Sequence, residues 1–262
     1  MKYLLQVTVQ STAKLCVAIA FAFSPSVYAQ FETSGIQPEA DKLLRNMSEF
    51  IAKQQKFTVT AENSLEIVLK SGQKIQYTAP ASLQIKRPNQ LRASRKGDLV
   101  DQDFYYDGKT LTLFSPENGF YATSAAPATI DQTIDMARDK LDVIAPGSDL
   151  IYTDSYKMLT QDAVSGFYVG KAVVGGVTCD HLAFRGNEVD WQIWIQEGSK
   201  PLPKKYVITS KRVPGEPQFT VYINSWNLAP KLSDATFVFK PPKNAMKIDF
   251  LRMTIDGKSA KR

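Results

Sequence analysis

The apolar residues that follow position 37 recur every three or four residues, which predicts an α-helix over residues 37–53. Pro38 suits the first turn of this helix, because the N–H that proline lacks has no partner there. Glu39 and Asp41 place negative charge near the positive end of the helix dipole. The side that this helix can bury consists of Ala40, Leu43, Leu44, Met47, Phe50 and Ile51.

The spacing of apolar residues then changes to every second position, as in a strand with one buried face. The alternating residues are Phe57, Val59, Ala61, Leu65, Ile67 and Leu69. Residues 70–72 end in glycine and predict a tight turn, after which Leu65 lies opposite Tyr77 and Ile67 lies opposite Ile75. The apolar faces of the two strands match in this register, which supports it.

The next strand carries a charged residue on its apolar side. Leu83, Ile85 and Arg87 are two positions apart and therefore share a face. A guanidinium there either binds acceptors such as helix-end carbonyls or extends from the strand end to water. The sequence leaves both alternatives open.

A second hairpin is predicted in the segment DFYYDGKTLTLFSP, residues 103–116. Asp107 and Gly108 are typical of a two-residue turn, which pairs Phe104 with Leu111. One face of this hairpin then carries Phe104, Tyr106, Leu111 and Leu113.

Helical spacing returns in the middle of the chain, at Ile130, Ile134, Ala137, Leu141 and Ile144. A second, weaker helix is predicted over residues 149–161, and short strands broken by Gly and Pro follow from Phe167 onward. In one of these strands Trp191 and Ile193 share a face. One helix, many antiparallel strands, an inserted helical pair and more strands predict a single α+β domain on one large antiparallel sheet.

The first 29 residues are typical of a cleaved signal peptide. Lys2 and Lys14 precede the apolar run 15–23, and residues 27–29 fit a small-x-small cleavage signal. The run is too short for a stable membrane anchor, although a retained anchor is the alternative. We expect secretion across the inner membrane into the periplasm and cleavage after Ala29, leaving residues 30–262 as the domain.

Composition narrows the classes of partner. Hydrophobic residues make up 44% of the 262-residue chain, which is enough for a sizeable core. The net charge is +6, and loss of Lys2 and Lys14 with the signal peptide leaves +4. The basic residues are spread out, so we expect no nucleic-acid partner. No other stretch is long and apolar enough to cross a membrane.

Few residues could support catalysis. His181 is the single histidine, and Cys179 is the single cysteine outside the signal peptide, whereas a closed metal site needs about four ligands. Residues 107–110 resemble the end of a phosphate loop, but Asp103 stands where that loop requires glycine. Asp101 and Asp103 are typical of a solvated strand edge. We therefore predict that the protein is not an enzyme and has no metal and no cofactor.

Three segments occur in the order and spacing of one known superfamily. They are LQIKRPN (83–89), DGKTLTLFSP (107–116) and ATFVFKPP (235–242), and they resemble the periplasmic lipoprotein-carrier (LolA/LolB-like) superfamily. The segments GVTCDHLAF, VDWQIWI and PLPKKYVIT resemble an uncharacterised group of predicted periplasmic proteins within it. The resemblance spans most of the chain after the signal peptide.

The resemblance implies an incomplete β-barrel of about eleven strands whose concave face is covered by helices and binds acyl chains or other lipids. It also implies that the arginine of the Lys-Arg-Pro motif, here Arg87, points inward and holds the covering lid. Residues 120–230 depart from the carrier pattern, so the fold and the apolar pocket are implied more directly than lipoprotein transfer.

These observations lead to the hypothesis of a periplasmic binding or carrier protein for a lipid, acyl chain or other hydrophobic ligand. Arg87 is the predicted lid contact. The candidate ligand-binding residues are Leu83, Ile85, Phe104, Tyr106, Leu111, Leu113, Trp191 and Ile193. The alternative is a non-enzymatic module that holds an apolar segment of an envelope protein. A third hypothesis, an envelope hydrolase, would need His181 or a carboxylate.

Overall fold

Thirteen strands join in one open sheet in this computed structural model, which describes residues 34–143 and 145–250. The signal peptide and its cleavage site after Ala29 lie outside the described residues, as does Ile144. In chain order the strands are β1 (Gly35–Ile36), β2 (Lys56–Val68), β3 (Lys74–Lys86), β4 (Gln90–Gly97), β5 (Val100–Tyr106), β6 (Thr110–Ser115), β7 (Phe120–Ala125), β8 (Ala163–Val174), β9 (Val177–Gly186), β10 (Val189–Gln196), β11 (Pro203–Ser210), β12 (Gln218–Asn227) and β13 (Met246–Ile248).

The order of strands across the sheet is β1-β8-β9-β10-β11-β12-β2-β3-β4-β5-β6-β7-β13. The eleven strands from β8 to β7 in this order are antiparallel to their neighbours, as expected. The other two, β1 and β13, add one short parallel strand at each edge. They were not predicted, because strands of two and three residues are too short to show alternation.

The described chain contains three α-helices: α1 (Pro38–Ala52), α2 (Ile130–Leu141) and α3 (Ser155–Thr160). The α1 prediction is confirmed, since Ala40, Leu44, Met47 and Ile51 on its apolar side are fully buried. The weaker helix predicted over 149–161 is instead two pieces, a 3₁₀ turn at Ser148–Ile151 and α3. Asp154 separates them, because its side chain accepts the N–H of Lys157 and caps α3.

The predicted register of the β2–β3 hairpin is confirmed, with Leu65 opposite Tyr77 and Ile67 opposite Ile75. The predicted register of the β5–β6 hairpin is wrong by two residues, since Phe104 lies opposite Leu113. The carboxylate of Asp107 accepts the N–H groups of Lys109 and Thr110, which opens the turn to four residues. A shift of two keeps every side chain on its predicted face.

The helices pack against one face of the sheet, here called the inner face. Its core cluster joins Phe57, Val59, Ile85, Leu91 and Ile193 of the strands to Leu44, Met47 and Ile51 of α1 and Ile130 and Ile134 of α2. On the opposite, outer face, Phe239 from the segment after β12 lies 5.1–5.3 Å from the rings of Tyr105, Phe114 and Tyr121. The inner face therefore holds the main core, and the carboxyl-terminal segment covers part of the outer one.

Candidate functional site: an apolar cavity on the inner face

A cavity of about 220 Å³ lies between the inner face of the sheet and the chain from α2 to the first 3₁₀ turn. One water needs only about 10–15 Å³ of such space, so the cavity can take a ligand many times larger. Its floor is formed by Val59, Ala61, Asn63, Ala81, Ser82, Leu83, Leu91, Ala93, Ser94, Arg95, Gln102, Phe104, Leu113, Val221, Ile223 and Trp226. Its roof is formed by Ile134, Ala137, Val143, Ala145, Pro146, Gly147, Ser148, Leu150 and Ile151.

Small residues meet at the centre of the floor. Ala61 of β2 lies opposite Ala81 of β3, and Ala93 of β4 lies opposite Leu83. A methyl group fills much less of the space above a sheet than a leucine or phenylalanine does, so room remains beneath the roof. These alanines were not recognised as site residues from the sequence, although their small size at inner-face positions is the signal that could have found them.

The roof is tied to the sheet where it begins. The hydroxyl of Tyr106 donates a hydrogen bond to the carbonyl of Pro127 at 2.5 Å, just before α2. The N–H of Ile130 donates to the carbonyl of Pro88 at 2.9 Å. The side chain of Thr129 accepts the N–H of Gln132 and caps α2. The first turn of α2 is therefore fixed to the ends of β3 and β5.

Arg87 reaches the other end of the roof. Its guanidinium donates to the carbonyl of Ile151 at 2.9 Å and to Oγ1 of Thr153 at 3.4 Å. Burial lowers the pKa of Arg87, and the nearby Asp131 carboxylate opposes this shift. Asp131 also accepts the backbone N–H of Thr153. The sequence left open whether this guanidinium binds acceptors of the protein or extends to water. In the structure it binds a carbonyl and a hydroxyl group.

The other predicted site residues fall into two groups. Leu83, Phe104 and Leu113 line the cavity. Ile85, Tyr106, Leu111, Trp191 and Ile193 are buried to 4% exposure or less and lie in the packed interior, away from the cavity. Trp191 there stacks on Phe184 at 3.9 Å between ring centroids. The first three are brought together at one site, and the ligand-binding role of all eight stays a prediction.

Three polar residues at one end of the floor, Arg95, Gln102 and Asn63, were also not recognised as site residues from the sequence. Arg95 donates a hydrogen bond to Oε1 of Gln102 at 3.1 Å, and Asn63 lines the same part of the cavity. Burial lowers the pKa of the Arg95 guanidinium. Leu91, Ala93 and Arg95 are two positions apart, so the alternation that placed Arg87 on the inner face applies equally here.

The residues with catalytic potential lie elsewhere. On the outer face, His181 stacks on Trp194 at 4.0 Å, and its Nε2 is 3.0 Å from Oε1 of Gln192. Cys179 is fully buried, and this burial raises the pKa of its thiol. Within residues 34–143 and 145–250, His, Cys, Asp and Glu form no group of three that could hold a metal ion. No helix of this described part is long and apolar enough to cross a membrane.

Comparison with sequence families gives a match over most of the chain. Residues 40–251 match the family described as "Predicted periplasmic protein (DUF2092)". This confirms the resemblance to an uncharacterised group of predicted periplasmic proteins. No curated protein matches the chain significantly.

Solved structures that match the chain have low sequence identity to it. An uncharacterised conserved protein from Thermus thermophilus is 11% identical, with a TM-score of 0.49 over 80% of this chain and 99% of that one. LprF from Mycobacterium bovis is 13% identical, with a TM-score of 0.46 over 82% and 100%. A LolA superfamily protein from Nitrosomonas europaea is 13% identical, with a TM-score of 0.35 over 76% and 97%.

Proposed function

Because the chain belongs to the DUF2092 family of predicted periplasmic proteins, we propose that it acts in the periplasm as a binding or carrier protein for a hydrophobic ligand. The observation that carries this proposal is the apolar cavity between the floor and the roof. Transfer of an apolar molecule from water to a site with apolar walls lowers the free energy of the system.

Burial of the ligand supplies the affinity in this proposal. Each methylene group removed from water contributes about 0.8 kcal/mol, so an acyl segment of about eight methylenes gains roughly 6 kcal/mol. The loss of motional freedom on binding offsets part of this gain. No covalent step is needed, since transfer requires only that the ligand enter and leave.

The roof serves as the cover of the binding site in this proposal. It is held at one end through Pro127 and Ile130 and at the other through the bond from Arg87 to Ile151. Release requires the roof to move away from the floor, and loss of the Arg87 bond favours that movement. Cleavage after Ala29, with residues 30–262 as one domain on a curved sheet, belongs to the same proposal.

Native mass spectrometry of gently purified protein tests the proposal. We expect a population heavier than the bare polypeptide, and we expect solvent extraction to release an apolar molecule of the same excess mass. If every preparation has the mass of the bare chain and the protein binds no apolar fluorescent probe, the proposal is wrong. Release of a defined peptide in place of a lipid would instead support the module that holds an envelope protein segment.

A pair of variants shows whether the bound molecule occupies the cavity. Ala93→Phe fills the floor with a large side chain, so we expect the excess mass to disappear. Ala125→Phe introduces the same side chain at the exposed end of β7, outside the cavity lining, and should keep the excess mass. Circular dichroism on both variants checks that the sheet has formed. Equal retention by both variants would place the ligand elsewhere.

A further inference from the structure

The polar group on the floor is confined to one end of the cavity. In the strand register Arg95 lies directly between Ala81 on one side and Gln102 on the other. Asn63 is the next inner-face residue of β2 after Ala61, which is opposite Ala81. Ser82 and Ser94 also border the cavity, but alternation puts their side chains on the outer face, where the two hydroxyls lie 2.8 Å apart. Arg95, Gln102 and Asn63 are therefore the floor groups that can recognise a polar part of a ligand.

The charge of Arg95 is not balanced by the protein. A guanidinium has five N–H donors, and Arg95 donates to Gln102. Among the described residues, no carboxylate lies within ion-pair distance of Arg95. No described residue other than Gln102 accepts a hydrogen bond from its guanidinium. A cation among apolar walls is costly unless it is paired. An anionic group on the ligand would provide the missing partner.

The position of Arg95 also suits a head group rather than a chain. Arg95 and Asn63 line both the main cavity and a smaller depression on the same face. That depression is bordered by Leu65 and Leu99, which are 41% and 48% exposed. Arg95 thus marks the boundary where the apolar cavity meets the exposed rim. A charged group bound there keeps part of its hydration while an attached chain lies inside.

We propose, building on the proposed function, that the ligand is an acyl chain bearing an anionic oxygen head group, which Arg95 binds with help from Gln102 and Asn63. Carboxylates and phosphates share the geometry that a guanidinium binds with two parallel hydrogen bonds. The chain lies along the alanines of the floor beneath the roof. Arg95 sets the orientation of the ligand, and the apolar walls supply most of the affinity.

Binding of cis-parinaric acid and of its methyl ester to the lipid-stripped protein tests this inference, because the two probes share one acyl chain and the ester replaces the anionic carboxylate by a neutral group with one added methyl. Hydrogen bonds to a charged group are worth about 1.5–3 kcal/mol, so we expect the acid to bind at least about tenfold more tightly. Equal affinity for acid and ester would overturn the head-group inference and leave the proposed function intact. Binding of neither probe would overturn both.

Two variants assign the preference to Arg95. Arg95→Met removes the charge while keeping an unbranched side chain, and it should bring the affinities for acid and ester together. Arg92→Met is the matched control, since Arg92 lies on the same strand but on the outer face, over the ring of Tyr105. It should keep the preference, and a preference lost in both variants or in neither would contradict the assignment. Arg95→Lys, which retains the charge, should keep part of it.

Competition identifies the head group. Palmitate and hexadecyl phosphate are each titrated against bound cis-parinaric acid, with hexadecanol as the neutral reference. Stronger displacement by palmitate supports a fatty acid, and stronger displacement by hexadecyl phosphate supports a phosphate-bearing lipid. Hexadecanol equal to both would overturn the inference.

Discussion

At the scale of single residues, two arginines on the inner face have different partners. Arg87 is held by groups of the protein itself, the carbonyl of Ile151 and the hydroxyl of Thr153. Arg95 donates to the side-chain amide oxygen of Gln102 and faces the space that a ligand would fill. Their different surroundings fit the two proposed roles, in which Arg87 holds the roof in place and Arg95 selects the ligand.

Replacement of Arg87 by leucine should loosen the roof more than it weakens the fold. The variant loses two hydrogen bonds from a charged donor, worth about 1.5–3 kcal/mol, so a bound apolar fluorophore should dissociate roughly tenfold faster. The unfolding free energy should fall by less than about 1 kcal/mol, because leucine can pack where the half-buried guanidinium lies. Stopped-flow dissociation and urea unfolding measure the two effects.

Lys86→Leu is the control for this change. Lys86 is the neighbouring residue on the outer face, and its ion pair with Asp234 is exposed. Lys86→Leu removes one positive charge, as Arg87→Leu does, but changes no residue of the roof or the floor. If Arg87→Leu and Lys86→Leu release the fluorophore at the same rate, Arg87 does not hold the roof.

The inner-face position of Arg87 could be predicted from alternation, whereas its partners could not. Ile151 and Thr153 lie more than sixty residues further along the chain, and only the fold brings them near. The same alternation predicts that Arg95 lies on the inner face, but a large apolar side chain does not by itself indicate a pocket. A cavity forms where side chains are small, so Ala61, Ala81 and Ala93 at inner-face positions indicate where it lies. Trp191 and Ile193 fill the packed interior instead.

At the scale of elements, the segment between β12 and β13 acts as a strap across the outer face. Phe239 lies among the rings of Tyr105 on β5, Phe114 on β6 and Tyr121 on β7. Aromatic pairs of this kind gain about 0.5–1.5 kcal/mol beyond the area they bury. The strap therefore stabilises the half of the sheet that carries much of the cavity floor.

Phe239→Ala should lower the unfolding free energy by roughly 2–3 kcal/mol. Deletion of a fully buried phenylalanine side chain costs about 3–5 kcal/mol, and Phe239 is only partly buried. The neighbouring Val238 is 41% exposed, so Val238→Ala should change stability by less than about 0.5 kcal/mol. Chemical denaturation of both variants measures the difference, and equal losses would show that the ring cluster adds little.

The two predicted hairpins show what local sequence can determine about an element. Gly72 takes the left-handed conformation that its turn requires, and the register of β2 with β3 follows from it. At Asp107 the same reasoning gave the wrong turn, because the side chain of Asp107 satisfies two backbone N–H groups and makes a longer turn favourable. The competition between turn types depends on single hydrogen bonds that a residue pattern does not reveal.

At the scale of the whole molecule, the sheet is joined at its centre by strands that are distant in sequence. β12 pairs with β2, and in this register Phe219 lies opposite Leu65. All other antiparallel neighbours follow one another along the chain. Sequence patterns identified most of these strands, but not this pairing, because hydrophobic alternation carries no information about which distant edges meet.

A truncated chain tests the importance of the central pairing. A chain that ends at residue 212 lacks β12 and the strap, so the two halves of its sheet have no antiparallel connection. We expect it to show no cooperative unfolding transition, whereas a chain that ends at residue 250 should unfold cooperatively. Thermal denaturation followed by circular dichroism distinguishes them. A cooperative transition in the shorter chain would mean that the halves fold independently.

The place of β12 also fixes when the cavity can first be complete. Val221, Ile223 and Trp226 of β12 belong to the cavity floor, beside residues that enter the chain some 160 positions earlier. A polypeptide that is exported amino-terminus first therefore has an incomplete cavity floor until residues 218–227 have also been exported. Under the proposed function, a chain that is still being exported therefore cannot bind its ligand before β12 has paired with β2.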